Sequence, residues 1–294
     1  MKSIKAAGVI GAGVIGSGWI ARLLLNGIDV FVYDPSKEAP KYVNKVIDNA
    51  ERAYNKLLTS NLPKKGKLLF SASISEVAKS CELIIEAVPE RLSIKQSAYE
   101  EIESSADKNL VIASSTSGIL PSDLQAKMKH PERLLVAHPF NPVYLLPLVE
   151  IVGGSKTSKN VIEETSKKFT NIGMFPLHIK KEIPAFIADR LLESVWREAL
   201  WLVNDDIATT EEIDDAIRYG FGLRWAQMGL FETYRLAGGE AGMRHFISQF
   251  GPCLEWPWTH LMDVPEFTDE LIEKVSSQSD QQSGKFSIDE LMEK

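Results

Sequence analysis

Cysteine is scarce in this 294-residue chain: Cys81 and Cys253 are the only two, far apart and in no metal-ligand spacing. That count excludes a disulfide framework or a thiolate zinc site, and points to a reduced, cytoplasmic protein without a metal centre. Excess positive charge is missing too. The 33 Lys and Arg against 40 Asp and Glu leave a formal net charge of −7, so neither nucleic acid nor an anionic membrane is an expected partner. There is no internal repeat and no Gly-x-Ser-x-Gly elbow of a serine hydrolase. The remainder, 44% hydrophobic and 25% charged, is ordinary for a globular protein of one large or two medium domains.

Residues 1–25 open with Lys2 and Lys5 and continue mostly apolar, an outline shared with signal peptides and membrane anchors. Five glycines (Gly8, Gly11, Gly13, Gly16 and Gly18) and the polar Ser17 and Arg22 break that outline, and a second strand-like run follows at once. A strand, a glycine turn and a helix describe the stretch better. Residues 4–10 read as the strand, Gly11-x-Gly13-x-x-Gly16 opens a helix reaching about Asn26, and Gly27 caps it. A second strand over residues 30–33 ends at Asp34, eighteen residues after Gly16.

Each part of that unit has a physical task in holding a dinucleotide. Gly11 permits the tight turn, Gly13 lets the backbone approach a pyrophosphate, and Gly16 lets helix pack on strand. The helix start at Val14 and Ile15 offers unpaired amides and a positive dipole end. Asp34 accepts from both ribose hydroxyls and repels a 2′-phosphate, favouring NAD over NADP. The competing reading is a glycine-rich turn without a ligand.

Further apolar runs at residues 83–88, 110–113, 134–137 and 148–152, with a candidate at 176–179, alternate with helical stretches. The pattern predicts an α/β fold: a Rossmann doubly wound parallel sheet, followed by an all-helical C-terminal domain. The break is expected near residue 183. Beyond it, Pro184 suits a first helical turn, and Ile187, Leu191, Val195 and Leu202 recur at helical spacing. Thr209 or Thr210 before Glu211 and Glu212 marks a capped helix start. The polar residues 276–285 read as an exposed loop or tail.

Four histidines (His130, His178, His245 and His260) lack diagnostic surroundings. His138 ends an apolar run and precedes Pro139-Phe140-Asn141-Pro142, which sets it at the strand edge where doubly wound folds bind ligands. Glu150, twelve residues on, can face the same crevice from a neighbouring strand, and a carboxylate beside an imidazole stabilises the imidazolium that alcohol oxidation demands of its base. Spacing alone leaves a second reading, a satisfied histidine at a strand end. Ser114-Ser115-Thr116-Ser117-Gly118 ends the preceding strand and offers hydroxyls to a substrate oxygen.

Gly11–Gly16, Ser115-Thr116-Ser117, His138 through Pro142, Glu150 and the segment from Pro184 to Arg190 occur in the order and spacing of the 3-hydroxyacyl-CoA dehydrogenase superfamily, which this chain resembles over nearly all of its Rossmann half and into the first helices beyond. The resemblance implies an NAD-dependent dehydrogenase with His138 as general base, Glu150 as its partner and Ser117 on the reacting oxygen. It also implies Glu90 and Lys95 along the cofactor, with residues 184–294 forming a helical domain for substrate binding and homodimerisation. One position departs: the family usually has asparagine where this chain has Asp189. An ionised aspartate only accepts hydrogen bonds and adds negative charge, which suits a cationic substrate better than a phosphate-bearing thioester. The alternative is that Asp189 merely pairs with Arg190 or another base.

Residues 221–233 and 279–284 resemble the branch of the superfamily that oxidises L-carnitine, and the L-gulonate branch shares the first of these segments more loosely. A trimethylammonium group is recognised by aromatic faces and diffuse negative charge. Five of the six tryptophans (Trp196, Trp201, Trp225, Trp256 and Trp258) follow residue 195. Trp196 and Trp201 also fit a helix core. Phe140, Asn141, Tyr144, Asp189 and Arg224 are the candidate substrate residues, with Phe221 adding aromatic surface and Arg224 offered to the substrate carboxylate. The rivals are another free 3-hydroxy acid, a short 3-hydroxyacyl-CoA, and an NAD-binding protein without turnover.

Overall fold

Short runs of β-branched and aliphatic residues, each bounded by turn formers, become eight strands of one sheet in the computed structural model. The structure describes residues 4–59, 61–237, 242–252, 259, 261, 266 and 268–283. Cys253, Trp256, Trp258, His260 and Gly284 lie outside them.

The first half alternates β1 (Ala6–Ile10), α1 (Val14–Leu25), β2 (Asp29–Tyr33), α2 (Ala39–Leu57), β3 (Leu68–Phe70), α3 (Ile74–Ser80), β4 (Leu83–Glu86), α4 (Leu92–Ser105) and β5 (Val111–Ser114). It continues with α5 (Pro121–Leu124), β6 (Leu134–Pro139), β7 (Leu148–Gly153), α6 (Lys159–Thr170) and β8 (Phe175–Ile179). The sheet order is β3-β2-β1-β4-β5-β6-β7-β8. Chain direction reverses its progress across the sheet at β1, so the β1–β4 gap forms the crevice where doubly wound folds hold nucleotides. Side chains alternate along each strand and feed two cores. Val9, Ile85, Leu135 and Ala137 pack toward α1 and α2, and Ile10, Ile84, Leu134 and Val136 pack toward α3 and α4.

One pairing departs from the expected all-parallel sheet. β7 runs antiparallel to β6 while β8 is again parallel to β7. Only residues 140–147 join β6 to β7, too few for a parallel crossover. The register sets His138 directly opposite Glu150. Arg22 of α1 fastens this connection. Its guanidinium donates to the Val143 carbonyl at 2.7 Å, the Leu146 carbonyl at 3.1 Å and the Ile172 carbonyl at 3.1 Å, and burial lowers its pKa.

The chain divides into two compact units, Met1–Asp189 and Arg190–Lys294. α7 (Ala188–Asn204) opens at the end of the first. Pro184 is not in its first turn. Ala185 and Phe186 adopt left-handed φ values of 59° and 51°, uncommon for residues with a Cβ, and they delay the helix to Ala188. Two interactions hold this turn: Phe186 is fully buried in the core, and the amides that follow are turned onto Glu150.

The second unit adds α8 (Thr210–Ala216), α9 (Gly222–Ala237), α10 (Gly242–Phe250) and α11 (Asp269–Ser283). Among the described residues no strand follows β8. Thr209 caps α8 in a reciprocal box with Glu212. α11 runs through residues read from sequence as a loop. The side-chain Oε1 of its Gln278 accepts from the Thr210 amide at 3.1 Å, a tertiary tie that polar composition does not reveal. No helix among the described residues is long and apolar enough to cross a membrane.

Candidate active site

The dinucleotide crevice is built by backbone shape. Gly11 holds φ at 91°, and a Cβ there would meet the Ala87 carbonyl oxygen at 2.5 Å. At Gly16 a Cβ would stand 1.8 Å from the Gly11 carbonyl oxygen. A Cβ at Gly13 meets nothing within 4 Å, so that side of the turn is open for a ligand to fill. No side chain caps α1, whose first residue, Val14, is exposed, with Ile15 half-buried behind it. Asp34 closes the far side. One of its oxygens accepts from the Ala12 amide at 2.7 Å and the other from the Ser36 amide at 2.8 Å. The carboxylate therefore also braces the glycine turn, a role the sequence reading did not assign. Ile10, Tyr33, Asp34, Pro35, Ile74 and Val88 are among the residues lining an adjoining cavity of about 560 Å³, with apolar walls suited to a planar base. These features fit an adenine dinucleotide.

Substitutions separate the roles of two glycines. Gly13→Ala is expected to leave thermal stability unchanged and to weaken NAD binding about tenfold or more, because only the ligand meets the added methyl. Gly16→Ala is expected to lower stability outright, since Gly11 backbone must move. Melting curves and calorimetric NAD titration of both variants check this pair.

At the ends of β4 and β5 lies a buried charge network that sequence reading only half recovered. Glu86, fully buried, accepts from Lys95 Nζ at 2.8 Å, the Val88 amide at 2.9 Å, and the Tyr99 and Ser114 hydroxyls at 2.6 Å each. Burial and the Glu86 charge push the Tyr99 phenol well up. Lys95 reaches onward to Glu90 at 3.2 Å. Glu90 in turn accepts from the Thr116 hydroxyl, the Ser117 amide at 3.1 Å and the Gly118 amide at 3.3 Å. Burial alone would raise the Glu90 carboxyl; the Thr116 hydroxyl and the Lys95 ammonium outweigh it and hold it below its usual range. The loop carrying Ser117 is thus gripped by the residues expected along the cofactor. Ser117 itself is exposed. Glu86 and Tyr99 were missed, an acidic residue closing the apolar run of β4 being the one available signal, and the Thr116 hydroxyl, offered in sequence to a substrate oxygen, donates to Glu90 instead.

His138 closes β6 on the same edge, 4% exposed. Its Nδ1 lies 2.9 Å from Glu150 Oε2, and the other Glu150 oxygen accepts from the Ile187 and Ala188 amides at 3.0 and 2.9 Å. Glu150 is fully buried, so one carboxylate ties the imidazole to the start of α7. Asp189 Oδ2 stands 3.5 Å from His138 Nε2. Phe140, half-buried, meets the imidazole edge-on with centroids 5.2 Å apart, and Phe186 lies 5.6 Å from it. Asn141 is exposed beside Phe140.

One sequence candidate, Tyr144, falls elsewhere, and another, Arg224, belongs to the second unit. Tyr144 is 3% exposed in the α1–α2 core, where its carbonyl accepts from the Tyr54 hydroxyl at 2.5 Å, so its ring offers little surface to a ligand. Arg224 is exposed on α9 in the second unit. There Phe221 and Trp225 pack with centroids 4.6 Å apart and line an apolar cavity of about 650 Å³. Trp196 is exposed and Trp201 half-buried.

Residues 6–183 match the sequence profile of the 3-hydroxyacyl-CoA dehydrogenase NAD-binding domain, and residues 186–265 that of the C-terminal domain. The chain belongs to the 3-hydroxyacyl-CoA dehydrogenase family. It is an NAD-dependent enzyme by that membership, and its sheet and helical C-terminal region are those of the family fold. Among curated relatives, it is 59% identical to an L-carnitine dehydrogenase of Mesorhizobium japonicum, across 99% of this chain and 80% of that one. It is 57% identical to an L-carnitine dehydrogenase/betainyl-CoA thioesterase of Rhizobium meliloti, across 99% of this chain. This chain spans only 59% of the length of that bifunctional relative. Of solved structures, 5-formyl-3-hydroxy-2-methylpyridine 4-carboxylic acid 5-dehydrogenase, an NAD-dependent dismutase, superposes with a TM-score of 0.78 at 28% identity, covering 98% of this chain and 89% of that one.

Proposed function

We propose that this family member oxidises the 3-hydroxyl of L-carnitine to 3-dehydrocarnitine, with His138 as the general base. The observation that carries the chemistry is the buried His138–Glu150 pair at 2.9 Å, on the strand edge shared with the glycine turn. The substrate follows from the relatives that carry L-carnitine dehydrogenase in their names.

NAD supplies the hydride acceptor when bound. Gly11, Gly13, Val14, Ile15 and Gly16 would hold its pyrophosphate and Asp34 its ribose, and Glu90 and Lys95 would line the cofactor. His138 takes the hydroxyl proton at Nε2, the nitrogen Glu150 leaves unused. Glu150 accepts from Nδ1–H, fixes that tautomer and stabilises the imidazolium. Its own charge is held by the Ile187 and Ala188 amides, so the base stays oriented through proton transfer. Ser117 donates to the reacting oxygen from a loop clamped by Glu90. Phe140, Asn141 and Asp189 surround the substrate near His138, and Arg224 pairs with its carboxylate. The tyrosine ring at 144 contributes packing rather than contact.

The division of labour is residues 1–183 for NAD and residues 184–294 for substrate binding and homodimerisation. Exposed Leu191, Leu192, Trp196, Tyr219, Leu223 and Phe231 support the second role, because monomers rarely leave so many large apolar groups in water. The proposed location is the cytoplasm, on the scarcity and spacing of the two cysteines.

The test is NADH absorbance with L-carnitine, D-carnitine, L-gulonate and 3-hydroxybutyryl-CoA side by side. Turnover confined to L-carnitine is expected. Turnover confined to another of these substrates would keep the dehydrogenase and discard carnitine, and none with any would leave an NAD-binding protein without this activity.

A further inference from the structure

The carboxylate at the second residue of α7 stands where a bystander would not. His138 presents one nitrogen to the fully buried Glu150, and that side is closed. A substrate hydroxyl can reach only Nε2. Asp189, with its side chain 22% exposed, holds Oδ2 3.5 Å from that same nitrogen. Whatever the hydroxyl belongs to must therefore bring its neighbouring atoms up against a negative charge.

From this geometry we infer that Asp189 is the specificity-determining residue, selecting substrates that carry a fixed positive charge one methylene away from the reacting carbinol. The inference rests on His138 being the base that acts on L-carnitine. In that molecule the quaternary nitrogen and the hydroxyl oxygen sit on adjacent carbons, so placing the oxygen on Nε2 carries the cation to Asp189. A trimethylammonium group has no N–H to donate, and an ionised carboxylate has none either. The pair needs only charge and a dry wall, and Phe140 beside the imidazole supplies aromatic surface of the kind such cations favour. The Phe186 ring is fully buried and serves as packing behind the imidazole.

The arrangement also works against wrong ligands. An anionic group at the same position meets like charge at close range.

The discriminating substrate is the carbon isostere of carnitine, 3-hydroxy-5,5-dimethylhexanoate, which has the same shape without the positive charge. The wild-type enzyme is expected to favour L-carnitine over the isostere by at least about 30-fold in kcat/KM, the range for losing one partner of a desolvated charge pair. Asp189→Asn should collapse that preference toward unity. Asp189→Glu should retain it. Calorimetric titration of the NAD-loaded protein with 4-(trimethylammonio)butanoate, which cannot react, should show a matching loss of affinity in Asp189→Asn with NAD affinity unchanged. If the wild type oxidises L-carnitine but Asp189→Asn keeps the full preference, the assignment of Asp189 is overturned and the carnitine reading stands. If the wild type does not oxidise L-carnitine, both fall together.

Discussion

Replacing His138 by alanine is expected to lower turnover by about 10²–10⁴-fold, the usual cost of losing a positioned general base, with NAD affinity unchanged. The separation follows from where the parts lie. The glycine turn, α1 and Asp34 belong to β1 and β2, whereas the imidazole is fixed by the β6–β7 register and the turn before α7. Alanine also strips Glu150 Oε2 of its partner at 2.9 Å inside a fully buried site, so a drop in melting temperature should accompany the lost rate. His138→Gln separates the two effects. Its amide can still donate to Glu150 but cannot act as the base, so stability should recover while turnover stays low. Steady-state NADH formation, NAD titration and melting curves on both variants decide this. Near-normal turnover in either would remove His138 from the mechanism.

The second large effect is expected at Lys95. Its ammonium is almost fully buried between Glu86 at 2.8 Å and Glu90 at 3.2 Å. Lys95→Met leaves the Glu86 carboxylate uncompensated in the interior, a change that costs about 3–5 kcal/mol in comparable buried pairs. Tyr99, Ser114 and the Val88 amide still donate to Glu86, which argues for the lower end of that range. Removing the charge as well, in Lys95→Met with Glu86→Gln, should recover part of the loss. Urea unfolding of the two variants measures it. Glu90, freed from Lys95, also loosens its hold on the Thr116 hydroxyl and the Ser117 and Gly118 amides, so the single variant should bind NAD more weakly at whatever temperature it remains folded.

Much of the first half was legible because its signals are local and stacked. Gly11 and Gly16 each answer to a steric demand that the backbone bears out, and the buried runs of β4, β5 and β6 have no polar interruption that would suggest another fold. Strand direction was not legible. An apolar run such as that of β7 reads alike in either sense, and only the short connection after Pro139 hints at the reversal. β3, three residues long with two of them exposed on the sheet edge, carries too little pattern to announce itself. The left-handed turn at Ala185 and Phe186 has neither glycine nor asparagine to mark it. It exists because Phe186 enters the core and because Glu150 collects the two amides that follow, both tertiary causes.

The candidate site divides the same way. His138 and Glu150 could be paired from spacing and resemblance, and the antiparallel register brings them opposite each other. Glu86 escaped because its partners lie 9, 13 and 28 residues away, and a single acidic residue in a strand does not say which groups will surround it. Tyr144 was drawn toward the substrate by its nearness in sequence to His138. Loop closure through Arg22 and Tyr54 carries it into the opposite core instead.

The most direct test of the central claim is to follow the C3 hydrogen itself. With L-carnitine deuterated at C3 and unlabelled NAD, mass spectrometry of the reduced cofactor should find one deuterium per NADH formed. Unlabelled NADH, or carnitine recovered unchanged while NAD stays oxidised, would contradict hydride transfer from that carbon.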